Sequence, residues 1–167
     1  MLQLPYPAIT PDGKIIHSFP NSHDLYISDW NTDGAKKVYG GGNKAGTIRS
    51  IDHEPKDTPN ELVYSCYIEQ DFYAAILYDP FRKVYYRYLL HGVPDANLKT
   101  PMDSKPLTII MMDEQLHYLG EKEIGTGMEW NWTNSFVTKE GLNIERIGTE
   151  PEDDDYLTFG LFTLQDL

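Results

Sequence analysis

The segment Phe72–His91, FYAAILYDPFRKVYYRYLLH, constrains the fold more than any other part of the chain. Its first half, Phe72–Tyr78, is apolar or aromatic at every position, which is typical of a strand buried on both faces. Pro80 cannot donate to a strand ladder and favours an extended Asp79, so a turn is predicted here. Val84–His91 is rich in aromatic and β-branched residues and forms the return strand. The segment therefore predicts a buried β-hairpin.

A weaker copy of this pattern lies near the start of the chain. Asp12-Gly13 is a strong turn signal between two apolar runs, which predicts a hairpin over Ala8–Phe19. Asp24–Asp29 and Ala35–Tyr39 follow as two further strands. The last of them carries adjacent lysines, a usual protection of an exposed sheet edge. Four consecutive antiparallel strands of this kind describe one blade of a β-propeller.

The repeat continues after the central hairpin. Leu107–Met112 is again apolar on both faces, and Leu116–Ile124 is a more polar outer strand. A third copy begins at Ser135–Ile147 and continues at Tyr156–Leu164, which is left with an open edge. The chain is therefore predicted to be a single all-β, β-propeller-like domain over residues 1–167. It would contain eleven strands in about three antiparallel four-stranded blades, a partial propeller.

The segments between these copies are less regular. Glu61–Gln70 has a strand-like core, and Gly46–Ile51 is predicted as a short strand. The glycine-rich run Gly40–Gly46 lacks the ending of a phosphate-binding loop and is interpreted as a flexible loop. Asp113–Leu119 is the one segment for which we allow a helix.

Charge and length exclude several classes of partner. The net charge of −12 would repel phosphates, so a nucleic acid or an anionic membrane surface is not expected as a partner. No apolar run approaches the roughly 20 residues of a membrane helix, and no signal peptide is visible. The five histidines show no paired metal spacing, and no nucleophile elbow or Rossmann fingerprint occurs.

The runs LYDPFRKVYYRYLL, TIIMMDEQLHYLGE and FVTKEGLNI…DYLTFGLFTL resemble the C-terminal half of an uncharacterised, domain-of-unknown-function family of Bacteroidetes lipoproteins. That family is similar to the TolB-like, six-bladed β-propellers. The resemblance covers most of Gly13–Leu164 and implies a propeller fold and a cell-envelope location, periplasmic or lipid-anchored. No catalytic residue is carried over from it.

One candidate ligand site lies on the central return strand. Arg87 and His91 share a face with Tyr85 and Leu89, and the guanidinium of Arg87 is suited to an anionic group. The alternative, which we favour, is that Arg87 pairs with an acidic residue of a neighbouring blade while the tyrosines pack.

Two further candidates carry aromatic or acidic side chains. Trp130 and Trp132 would stack on a sugar or a peptide if exposed, although packing between blades is favoured. The acidic run after Glu150 offers oxygens for calcium, but it lacks the spacing of a known calcium loop and is interpreted as a solvated charge run. Its weak metal candidates are Glu152, Asp153, Asp154 and Asp155.

The sequence thus favours a non-enzymatic binding or scaffold module, without a cofactor, of an exported propeller protein. Its ligand would be a protein or a carbohydrate, and self-association or additional blades would cover the open strand edge. The alternative is a metal-dependent hydrolase or lactonase of the six-bladed type. Its cation would be held by carboxylates or amides that converge from several blades.

Overall fold

A computed structural model of the chain describes residues 5–49, 59–148 and 156–165. In these ranges, eleven strands form three antiparallel sheets, so the all-β prediction is confirmed. The first sheet has the order β1 (Tyr6–Ile9), β2 (Ile15–Ser18), β3 (Asp24–Ser28) and β4 (Ala35–Tyr39). The central sheet has the order β5 (Phe72–Asp79), β6 (Val84–Leu90), β7 (Pro106–Asp113) and β8 (Tyr118–Thr126). The third sheet has the order β9 (Trp130–Val137), β10 (Leu142–Arg146) and β11 (Phe159–Phe162).

Aspartates begin the turns that connect the strands. Asp29 accepts a hydrogen bond from the backbone amide of Asn31, two residues later. Asp79 does the same for Phe81, and Asp113 for Gln115. A side chain that caps an amide two residues on mimics a backbone turn, which is why aspartate ends these strands. The repeated aspartate in the sequence therefore has a local physical cause.

The central sheet is covered on both faces. Tyr85 and Leu89 of β6 point towards the first sheet and pack with Ile16 and Leu25. On the opposite face, the side chains of β6 pack with Leu142 and Ile144 of the third sheet; they are Val84, Tyr86, Tyr88 and Leu90. Tyr86 and Tyr88 are both completely buried, as their shared face with Val84 and Leu90 predicted.

The first strand of each sheet lies next to the first strand of the following sheet. β1 contacts β5, and β5 contacts β9. The rings of Tyr6 and Trp132 meet edge to face with centroids 5.8 Å apart, so β1 and β9 also approach each other. The three sheets are therefore arranged around their first strands, and their later strands point outwards.

The prediction of a strand at Glu61–Gln70 is wrong, because helix α1 (Asn60–Glu69) occupies almost all of this segment. A short 3-10 helix lies later in the chain, at Met102–Ser104. The buried ammonium of Lys105 donates to the carbonyls of Tyr67, Ile68 and Gln70 at the end of α1. These carbonyls have no partner within the helix, and a cation at a helix C-terminus is favourable. In the part of the chain described, no helix is long and apolar enough to cross a membrane.

Three smaller expectations also change. The helix allowed at Asp113–Leu119 is absent, since a turn there leads into β8. The strand expected at Tyr156–Leu164 is limited to β11, where Leu161 is 49% exposed. Residues 46–49 form no strand, and the rest of the segment predicted at Gly46–Ile51 lies outside the described residues.

Candidate functional site

Arg87 joins the central sheet to the first sheet. Its Nε donates to the Ser18 hydroxyl at 3.0 Å, and its Nη2 donates to the Ser22 carbonyl at 2.8 Å. Nη1 donates to the carbonyls of His23 and Gly40, both at 2.9 Å. The side chain has no exposed surface. Its partners are carbonyls and a hydroxyl, not the carboxylate that we expected from a neighbouring blade.

The environment of the Arg87 guanidinium is aromatic as well as polar. Its central carbon lies 3.6 Å from the centroid of the Tyr73 ring, and the Tyr73 hydroxyl is 2.7 Å from His23 Nδ1. Burial lowers the pKa of Arg87 to about 10, so the side chain is still a cation near neutral pH. With four donor contacts to protein atoms, the guanidinium would reach a ligand only if the two sheets separated. The prediction of a ligand contact by Arg87 stays a prediction.

His91 belongs to a hydrogen-bonded chain with an acid and a hydroxyl. Its Nδ1 lies 3.3 Å from Asp71 Oδ2, and its Nε2 lies 2.9 Å from Thr108 Oγ1. This order resembles an acid, base and nucleophile arrangement. However, Thr108 has no exposed surface, so no reacting carbonyl can approach it as the chain is folded. Asp71 was missed in the sequence because nothing near it marks a site.

Asp71 instead fastens two connecting segments. Its oxygens accept hydrogen bonds from the amides of Gly46, at 2.6 Å, and Gly92, at 2.7 Å. Burial alone would raise its pKa, but the hydrogen bonds from His91 and these two amides lower the pKa to about 2. The carboxylate therefore binds the segment after β4 to the end of β6.

The segment Gly40–Gly46 is an ordered strap, so its interpretation as a flexible loop is wrong. Gly40–Gly42 are buried, and a Cβ on Gly40 would meet the side chain of Leu25 at 2.7 Å. The amides of Asn43 and Lys44 donate to the two carboxylate oxygens of Glu121 at 2.9 Å each. The glycines are thus needed for close approach between the two sheets, not for mobility.

The two candidate tryptophans, Trp130 and Trp132, are partly buried between the central and third sheets. Trp130 Nε1 donates to the Ile124 carbonyl at 2.7 Å, and its ring meets Phe162 at 5.1 Å between centroids. Trp132 packs on Tyr6 and on the apolar cluster that contains Tyr88. Neither ring is brought together with Arg87 or His91. Stacking of these rings on a ligand stays a prediction.

A cleft of about 740 Å³ lies where three turns meet, between the first sheet and the central sheet. The turns of the first sheet line it with Thr10, Pro11, Asp12, Lys14, Asp29 and Thr32–Lys36, and the turn between β7 and β8 lines it with Glu114–Leu116. Its apolar lining residues are Ile16, Ile27, Val38 and Leu116; Ile27 and Val38 are partly exposed and form an apolar floor, whereas Ile16 and Leu116 are buried. This volume is in the range of known ligand pockets. No motif in the sequence indicates the cleft, because it forms only where the turns meet.

Two unusual features adjoin this cleft. Tyr85 is completely buried, and its hydroxyl has no hydrogen-bond partner among the described residues. Burial, Tyr78 and the charges of Glu114 and Asp12 raise its pKa to about 12. Leu116 has a φ of 65°, a left-handed conformation that is strained for a leucine. A buried orphan hydroxyl and a strained backbone are both more frequent near functional sites than elsewhere.

The weak calcium candidates Glu152, Asp153, Asp154 and Asp155 lie outside the described residues. Over residues 5–49, 59–148 and 156–165, no group of three histidine, cysteine or acidic side chains is arranged to hold a metal ion.

Residues 3–123 match the model of a family described as "Domain of unknown function (DUF4221)". A solved DUF4221 family member from Bacteroides vulgatus ATCC 8482 superposes with a TM-score of 0.76 at 18% sequence identity. The superposition covers 95% of this chain and 44% of that chain, so the present chain spans less than half the length of that relative. At this identity the likeness shows the fold alone. No curated protein gives a significant match.

Proposed function

The chain belongs to the DUF4221 family, and we propose that it forms consecutive blades of a β-propeller that acts as a non-enzymatic binding or scaffold module. The proposal of blades is supported by the arrangement of the sheets. Each sheet follows chain order, and the first strands β1, β5 and β9 lie side by side. Radial sheets of this kind are the repeating units of propellers.

Three sheets do not close a propeller, which usually has four or more blades. The outer face of the third sheet carries Phe136, 43% exposed, and Leu161, 49% exposed, and Phe136 meets Phe159 edge to face. We propose that further blades, or a second copy of the chain, cover this face and the edge of β11. The family resemblance implies six blades in such a ring, as in the TolB-like propellers.

The cleft is the observation that carries the binding role. It is concave and combines an apolar floor with charged turns. The charged groups of the sheet interfaces, by contrast, are engaged by protein atoms. Arg87 and Lys105 donate to backbone carbonyls, and Asp79 accepts from the backbone, from Arg82 and from Tyr86. Charged groups that are bonded to protein atoms in this way are better suited to a structural role than to proton transfer with a substrate.

The test combines binding with turnover. The full chain is screened against oligosaccharides and short peptides by thermal shift and calorimetry, then assayed with lactone and ester substrates with and without calcium. We expect saturable binding of at least one ligand and no multiple turnover. Hydrolysis that scales with protein concentration and requires calcium would favour the metal-dependent hydrolase and contradict the proposal.

We further propose a cell-envelope location, periplasmic or lipid-anchored, for the protein. This proposal rests on the resemblance to Bacteroidetes lipoproteins. Fractionation of the native cells, with detection by an antibody against this chain, tests it. Recovery in the envelope fraction is expected, and recovery in the cytosol alone would contradict it.

A further inference from the structure

The space between the first and central sheets is filled at one end and open at the other. At the end of β4 the strap fills it, because Gly42 packs on Ile110 and Glu121 receives the amides of Asn43 and Lys44. At the opposite end, where Ser28 pairs with Ala35, the space between the sheets is the cleft. The floor there is apolar surface of the kind that sheets ordinarily bury against each other.

The charges around the cleft are mostly acidic. Its lining contains four carboxylates, those of Asp12, Asp29, Asp33 and Glu114, against the two ammonium groups of Lys14 and Lys36. Lys14 is engaged by Asp12 at 2.6 Å. The lining therefore has an excess of two negative charges, and within the described residues Asp33 has no hydrogen-bond or ion-pair partner. Such a surface is complementary to a ligand that carries positive charge.

The strained turn at Leu116 lines the central-sheet side of the cleft, and Tyr85 packs behind it in the same apolar cluster. Tyr78, next to Tyr85 in the sheet, donates from its hydroxyl to Glu114 Oε1 at 2.6 Å, which places that carboxylate on the cleft wall. Leu116 lines the cleft but is only 5% exposed, and its backbone is strained.

We propose that this cleft binds an extended peptide segment of a partner protein in which aliphatic residues alternate with lysine or arginine. The aliphatic side chains lie on the floor made by Ile27 and Val38, and the basic side chains meet Asp33 and Glu114. The inference rests on the proposed binding function and names the ligand class of that module.

A terminally blocked peptide of alternating valine and lysine, VKVKV, is the probe, and VEVEV is its matched control. Binding to the full chain is measured by calorimetry and located by NMR chemical-shift changes. VKVKV is expected to shift the amides of the three turns, while VEVEV binds at least about tenfold more weakly. Affinity for VKVKV is also expected to fall as salt rises, since the charges are near the surface.

The variants separate the cleft from the general negative charge of the chain. Asp33→Asn with Glu114→Gln is expected to weaken VKVKV binding about tenfold, and the side-chain carbonyl in Glu114→Gln can still accept from the Tyr78 hydroxyl. Glu123→Gln removes one exposed carboxylate of β8 outside the cleft and is expected to change affinity less than about twofold. Unaltered affinity in the double variant, equal binding of VEVEV, or shifts outside the turns would each overturn the inference.

Absence of any VKVKV binding would also overturn it. The proposed binding function is judged separately, by the screen of oligosaccharides and unrelated peptides. A ligand found in that screen that binds elsewhere would sustain the function while removing this assignment of the cleft.

Discussion

On each face of the central sheet, an arginine donates hydrogen bonds to backbone carbonyls of the neighbouring sheet region, but the two arginines differ in burial. On the face towards the first sheet, Arg87 is completely buried and donates to carbonyls of that sheet. On the face towards the third sheet, Arg82 lies at the rim, 16% exposed, and donates to the carbonyls of Thr138 and Lys139. Each arginine thus links the central sheet to one neighbour. The first interface has an arginine buried in its interior, whereas the second has a mainly apolar interior and an arginine only at its rim, where Arg82 pairs with the buried Asp79.

This difference has an energetic consequence. Carbonyls that lose a buried donor stay desolvated, but carbonyls at a rim regain water. The interface with the first sheet should therefore tolerate poorly the replacement of its polar side chains by apolar ones. It also contains the cleft, whereas a buried tyrosine hydroxyl without a partner among the described residues occurs at both interfaces, Tyr85 at the first and Tyr88 at the second. The polar interface is the one with a candidate ligand site, and the apolar interface holds the third sheet in place.

The largest effect is expected for Arg87→Met. The variant leaves the carbonyls of Ser22 and Gly40 without their donor and removes one of the two donors to the His23 carbonyl, so the free energy of unfolding should fall by about 3–5 kcal/mol. Urea denaturation measures it. The matched control Arg82→Met also removes the ion pair with Asp79, but that carboxylate keeps the amides of Phe81 and Arg82 and the Tyr86 hydroxyl, so the cost should be only about 1–2 kcal/mol. Equal losses in the two variants would contradict the distinction between the interfaces.

The second-largest effect is expected when a buried tyrosine is truncated on the face of the central sheet towards the third sheet. Tyr88→Ala removes a completely buried ring from the cluster with Leu142 and Ile144, and should cost about 3 kcal/mol. The measurement is again urea denaturation. A loss under about 0.5 kcal/mol would mean that this face is not packed against the third sheet.

A pH effect should follow from Asp71. Its pKa in the folded chain is about 2, below the ordinary 3.8. The carboxylate therefore contributes stability that is present above pH 3.8 and is lost as the pH falls from 3.8 towards 2. The contribution is about 2 kcal/mol. Comparing wild type with Asp71→Asn across this range should show their difference shrink towards low pH, and a constant difference would refute the assignment.

The smallest effects should distinguish two adjacent tyrosines. Tyr86→Phe loses a hydrogen bond from its hydroxyl to Asp79 Oδ2, 3.1 Å long, and should cost about 1 kcal/mol. Tyr85→Phe removes a hydroxyl with no partner among the described residues and should be neutral or slightly stabilising. Thermal unfolding of both variants measures the contrast. A larger loss for Tyr85→Phe would reveal a partner for that hydroxyl.

The strands were predictable because their signals are local. Alternation in Val84–His91 and the turn aspartates at 29, 79 and 113 act through neighbouring residues, and the strands follow them. Helix α1 was not predictable in this way. Its ten residues have no strong apolar stripe, and its last carbonyls are held by Lys105, which lies 35 residues after Gln70. Tertiary contacts of this kind override local preference.

The candidate site was less accessible to sequence reasoning than the fold. Arg87 and His91 were identified as chemically capable residues, but their partners come from segments far away in the chain, such as Ser18 and Asp71. The glycines of the strap have the composition of a flexible loop, and only the closeness of the two sheets explains them. The cleft arises from three turns that are distant in sequence.

Hydrogen exchange at β11 in the full-length protein tests the proposal of a propeller most directly. Arg146 donates to the Thr158 carbonyl, and by the alternation of antiparallel pairs the amides of Gly160 and Phe162 point towards β10, whereas those of Phe159 and Leu161 point towards the sheet edge. If a strand of a further blade segment or of a second copy pairs with this edge, all four amides should be protected, and light scattering should tell which of the two supplies the strand. A monomer in which Phe159 and Leu161 exchange freely while Gly160 and Phe162 stay protected would contradict the proposal.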